Sequence, residues 1–139
     1  MIINKEVCLS TRGNIDIVDL TQQVEMAVRE SAVANGTVTI FVPGATGSVT
    51  TIECESGLME DFKDIIEELI PQNGHRYKHN NDLGGQNAHS HLRASFLGPS
   101  LTIPIVDSEL VLGAWQQIVF IDFDDQPRKR TLIFQTMGE

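Results

Sequence analysis

Four histidines, His75, His79, His89 and His91, fall in one stretch of the chain. His89 and His91 stand two residues apart, and the segment 91–97 reads as a strand. Side chains two apart on a strand leave from the same face, so both imidazoles would point one way. His79 lies ten residues before His89, and Gly84-Gly85 between them is a hinge across which it could fold back. Three converging imidazoles suit a divalent transition ion, with one position left open for water or substrate. Asp82 would add an oxygen ligand. The same histidines also read as polar loop and strand residues, or as phosphate donors without a metal.

The surroundings favour an anion. Residues 75–93 carry Arg76, Lys78 and Arg93 against the single acid Asp82, a local excess of two positive charges. The planar fork of arginine matches phosphate oxygens. A second anion feature lies upstream, where Pro43-Gly44-Ala45-Thr46-Gly47-Ser48 links two expected strands. Thr46, Gly47 and Ser48 could present backbone N–H groups as a nest. The loop has no lysine and no following helix, so it is not a P-loop. Trp115, the single tryptophan, and Gln116 could form a pocket wall with a polar handle. Arg128-Lys129-Arg130 follows Asp124-Asp125 and reads as local pairing or a solvated turn. Cys8 and Cys54 sit in no activating context and read as reduced thiols.

These residues need a scaffold. The 139 residues correspond to one domain, spanning 1–139. Strands are expected at 2–9, 37–42, 48–53, 91–97, 101–106, 109–112, 115–123 and 130–136, from their β-branched content and bounding turns. Asp19 with Gln22 reads as a capping box. It opens a helix whose face is Leu20, Val24, Ala27, Val28 and Ser31, stopped at Gly36. A second helix, Leu58 to Leu69, turns Leu58, Phe62, Ile65, Ile66 and Leu69 inward and five carboxylates outward. Helices that do not alternate with strands argue for α+β rather than a doubly wound sheet. The expected fold is a largely antiparallel, β-sandwich-like sheet of about eight strands with two helices. Nineteen acidic against ten basic residues, a net charge of -9, argue against nucleic acid or an anionic membrane as partner. No apolar run is long enough to span a bilayer, and the start of the chain has no signal-peptide pattern. The expected location is cytoplasmic.

Four blocks are more specific. They are Phe41-Val42-Pro43-Gly44-Ala45-Thr46-Gly47-Ser48-Val49-Thr50-Thr51-Ile52-Glu53, Asn87-Ala88-His89-Ser90-His91-Leu92-Arg93-Ala94-Ser95, Leu97-Gly98-Pro99-Ser100-Leu101-Thr102-Ile103-Pro104 and Leu112-Gly113-Ala114-Trp115-Gln116-Gln117-Ile118. In this order they resemble the YjbQ-like family, also described as secondary thiamine-phosphate synthase. The resemblance implies a compact α+β fold and a homotrimer with pockets near the subunit contacts. It implies a transferase joining a hydroxymethylpyrimidine diphosphate to a thiazole phosphate with release of pyrophosphate. The family histidines fall on His79, His89 and His91, the expected catalytic and metal-ligating set, with Trp115 stacking on a heteroaromatic ring and Gln116 beside it. Arg76, Lys78, Arg93 and a divalent ion, zinc or magnesium, would neutralise the leaving group. One departure stands out: many members carry His-Thr-Thr where this chain has Gly44-Ala45-Thr46. Two rival readings remain, a metal-dependent hydrolase using the same histidines and a non-catalytic trimeric ligand-binding protein.

Overall fold

The first and last strands lie side by side. β1 (Ile2–Thr11) pairs antiparallel with β8 (Arg128–Gly138), from Ile2 opposite Met137 to Thr11 opposite Arg128. In the computed structural model, which describes residues 1–80 and 86–139, they begin a five-stranded sheet. It continues through β3 (Gly36–Phe41), β5 (Ser100–Val106) and β6 (Glu109–Leu110) in the order β1-β8-β3-β5-β6. A second sheet has the order β2-β7-β4, with β2 (Asp16–Asp19), β4 (Gly47–Ile52) and β7 (Gln117–Asp122). Every pairing is antiparallel. With three helices among the described residues, one more than expected, this is the expected α+β class.

β7 explains how the layers hold together. Its even residues Ile118 and Phe120 enter one core, with Val38, Ile40, Leu132 and Phe134 of the larger sheet and Val24 and Val28 of α1 (Thr21–Ser31). Its odd residues Val119 and Ile121 enter a second core with Ile66 of α2 (Ser56–Leu69) and Ala94 of α3 (Ala88–Leu97). A strand covered on both faces reads as a continuous apolar run, as 118–121 does. Each such fully buried side chain contributes about 1.5–3 kcal/mol.

The helices differ from expectation in three places. The segment 91–97 is not a strand but most of α3, which packs across β4 through a hydrogen bond from Ser48 Oγ to Ala94 O of 2.7 Å. Asp19 ends β2 rather than capping α1; its Oδ1 accepts from Thr21 N and Thr21 Oγ1. Gly36 opens β3, and α1 ends earlier at Ala32, in the left-handed region at φ 59°. The acidic helix forms, with Glu55 accepting from Gly57 N and Leu58 N to start it, but of its expected inward face Ile66 is buried and Phe62 partly so, while Leu58, Ile65 and Leu69 are exposed. Among the described residues, no helix is long and apolar enough to cross a membrane.

Candidate functional site

Helix α3 decides where the histidines go. Residues two apart on a helix point about 200° apart, so His89 and His91 face opposite ways rather than together. His89 shares its face with Arg93 and is 1% exposed. Arg93 turns to the end of α2, donating to Glu67 and to Ile70 O. His91 shares its face with Ala94 and Ser95 and lines a cleft of about 230 Å³. Across that cleft stand Gly44, Ala45, Gly47 and Pro99.

His79 reaches His91 but does not itself line this cleft. Its ring meets that of His91 edge-on, with centroids 5.1 Å apart, and its Nε2 pairs with Asn87 Oδ1 at 3.1 Å. Two of the three expected ligands therefore meet, and the third does not. The buried Nδ1 of His89 has no partner among the described residues. Burial, then the Arg93 charge, hold its pKa below the ordinary histidine value, so the neutral ring is favoured. Among the described residues, no cluster of three or more metal-binding side chains is present. In this arrangement His89 stands apart from the His79–His91 pair. Asp82 and the Gly84-Gly85 hinge lie outside the described residues.

The other expected residues divide similarly. Gly47 lines the cleft, but the Thr46 and Ser48 hydroxyls are engaged elsewhere. Thr46 Oγ1 donates to Asp124 Oδ2 at 3.1 Å and accepts from Arg130 Nη2 at 2.8 Å, while Ser48 bonds Ala94. The backbone N–H groups of Gly44, Ala45 and Thr46 have no partner among the described residues. Arg93 is tied to Glu67 and is not free for phosphate. Arg76 and Lys78 are exposed. Gln116 lines a different cavity of about 690 Å³, between α1 and residues 107–117. Its Nε2 donates to Thr51 Oγ1, four residues and roughly 13 Å along β4 from Gly47. Trp115 beside it is 75% exposed. Within one chain, Trp115 and Gln116 are not part of the histidine cleft.

Beneath the loop, where the sequence suggests local pairing or a solvated turn, lies a buried polar network. Arg130 Nε and Nη2 each donate to Asp122 at 2.8 Å, Thr11 Oγ1 donates to the same carboxylate, and Arg128 Nε donates to Asp124 at 3.0 Å. Asp122 and Asp124 are buried. Burial pushes Asp122 up, but Arg130, Thr11 and the Asp124 N–H outweigh it and hold the carboxyl below the ordinary aspartate value. Asp125 moves the other way, raised by burial and by its bond to the Asp124 carboxylate. A period-two signal existed for Arg130: it is in phase with the inward residues Leu132, Phe134 and Thr136 of β8.

Comparisons with known proteins agree with this architecture. The family model described as UPF0047 protein YjbQ-like matches residues 5–139. A UPF0047 protein of Archaeoglobus fulgidus is 38% identical over 132 residues, covering 95% of this chain and 99% of the relative. One from Mycobacterium tuberculosis is 40% identical over 116 residues, 81% of this chain and 83% of that one. The crystal structure of a YbjQ-like protein of unknown function from Sulfolobus solfataricus superposes with a TM-score of 0.93 at 34% identity, covering 100% of this chain and 99% of that one. The chain belongs to the YjbQ-like UPF0047 family.

Proposed function

We propose that the cleft between the 43–47 loop and α3 is the active site of a transferase resembling secondary thiamine-phosphate synthase. The observation that carries the reading is that His91, in ring contact with His79, faces a glycine loop whose Gly44 and Ala45 N–H groups have no partner among the described residues. In the reaction the C–O bond to diphosphate breaks and the electron pair leaves with it. The pyrimidine-stabilised carbocation then accepts the thiazole nitrogen lone pair. Such a reaction needs orientation and charge stabilisation more than a nucleophile. The loop N–H groups serve the leaving diphosphate, and His91 serves as the proton donor to it. Arg76 and Lys78 add positive charge to the segment that carries His79. A divalent ion enters this reading only as the counter-ion of the diphosphate, held by its oxygens.

The test is thiamine phosphate formation by His91→Ala and His79→Ala. Loss of at least about 100-fold is expected for His91→Ala, as for a general acid; wild-type rates in both variants overturn the reading. A second reading is favoured by volume. At about 230 Å³ the cleft is smaller than the roughly 300–1,000 Å³ usual for small-molecule sites and suits one phosphorylated ring rather than two. Hydrolysis of a single phosphorylated substrate fits that size, and phosphate release without a thiazole acceptor would identify it.

We propose also that the chain acts as a homotrimer. Exposed Phe41, Phe96 and Trp115 supply apolar surface for such contacts, and light scattering of the purified protein tests it.

A further inference from the structure

Arg130 has donors left over. A guanidinium carries five N–H bonds. Nε uses one on Asp122, and Nη2 uses two, on Asp122 and Thr46. Nη1 has no hydrogen-bond partner among the described residues, although the side chain is only 11% exposed. It lies directly under Gly44: a Cβ built there would stand 3.5 Å from Nη1, with no other heavy atom inside 4 Å. Gly44 has φ +115°, a conformation L side chains rarely adopt, and it lines the His91 cleft. Gly44 therefore joins the cleft lining to Nη1, with no side chain of its own between them.

We propose that Arg130 Nη1, with the backbone N–H groups of Gly44 and Ala45, forms the subsite that takes a phosphate or diphosphate group in this cleft. The proposal rests on the cleft being the active site and assigns which end of the substrate sits where. Asp122 fixes the guanidinium plane through two bonds, so Nη1 is held in place before a ligand arrives, which lowers the ordering cost of binding. Asp122 and the nearby Asp124 also offset the arginine charge. Recognition therefore comes from directed hydrogen bonds more than from net charge, and affinity should fall only modestly with added salt.

Inorganic pyrophosphate is the probe. In the wild-type protein its addition should move the Arg130 guanidinium signals in ¹⁵N–¹H NMR together with those of Gly44 and Ala45. By calorimetry, Arg130→Lys keeps a charge for Asp122 but loses the fork, and should bind about tenfold more weakly. Gly44→Ala leaves the Arg130–Asp122 pair in place and should also weaken binding about tenfold. If Arg130→Lys fails to fold, Gly44→Ala and the wild-type NMR decide. Saturation with the Arg130 signals unmoved, or wild-type affinity in the folded variants, overturns the subsite. Absence of binding at millimolar pyrophosphate also overturns it, while the His91→Ala activity assay still decides the reading of the cleft.

Discussion

Arg93 on α3 donates to Glu67 on α2 at 2.6 Å, the arginine side chain 3% and the glutamate 51% exposed. This contact clips the end of the acidic helix to the helix that presents His91. Burial pushes the Glu67 carboxyl up, but the Gln72 N–H and the bond and charge of Arg93 outweigh it and leave it below the ordinary glutamate value. A carboxyl lowered by folding adds stability above its unfolded pKa and loses it as pH falls through the folded value. Glu67→Gln is expected to cost about 1–3 kcal/mol at neutral pH. It should also flatten the decline in stability below the ordinary glutamate range. Urea unfolding at about pH 7 and about pH 4 measures both; parallel declines in variant and wild type would remove Glu67 from the acid response.

His89 works with the same sign through a different charge state. Its folded pKa is lowered, by burial and then by Arg93. Its contribution is complete above the unfolded histidine value and shrinks as pH falls from there toward the folded value, because the buried ring must then gain a charge. His89→Leu removes the titrating ring together with a buried Nδ1 that has no partner among the described residues. Stability should then hold more nearly constant just below the ordinary histidine range. Thermal melts of the two proteins across that range check it, and an unchanged slope would sink the assignment.

Gly47 sits where the cleft loop meets β4, and an added Cβ would fall 2.7 Å from Cε1 of Phe120. Phe120 is fully buried and has nowhere to move. Gly47→Ala should cost about 1–3 kcal/mol through overpacking and shift the loop N–H groups, so pyrophosphate affinity should fall with it. Gly74→Ala is the comparison: nothing lies within 4 Å of its Cβ, and only its φ of +87° resists the change. Chemical denaturation of both variants separates crowding from backbone strain; equal costs would argue that the Phe120 contact is unimportant.

The strands were legible because β-branched residues mark them and because β7 is apolar on both faces. Segment 88–97 was not, because its buried positions are Ala88, His89, Ser90, Arg93 and Ala94. Polar side chains occupy the inward side, so no 3.6-residue apolar stripe betrays the helix. The misread helix then misplaced the histidines, since the two-residue spacing that aligns His89 and His91 on a strand opposes them on a helix. β2 escaped notice as four residues beginning just after Ile15, which has a positive φ. The Arg130–Asp122 pair was hidden for another reason. Charged residues near a turn are usually solvated, and only the in-phase Leu132 and Phe134 argue for an inward Arg130. The family blocks located the right neighbourhood, but only side-chain geometry divides it into a cleft, a buried support and a separate cavity.

Trp115 supplies an optical test of that division. It is 75% exposed, so Trp115→Ala should change stability by less than about 0.5 kcal/mol. Its neighbour Gln116 bonds Thr51, roughly 13 Å along β4 from the cleft. A phosphate group bound at Gly44 and His91 of the same chain should therefore leave Trp115 fluorescence unchanged. In a trimer a second copy could bring its own Trp115 over the cleft, and quenching by pyrophosphate would then rise with protein concentration as the chains assemble. Titrations across a dilution series, with light scattering on the same samples, separate the two. Quenching that persists unchanged in the dilute, monomeric protein would place Trp115 at its own chain's cleft and contradict the geometry described above.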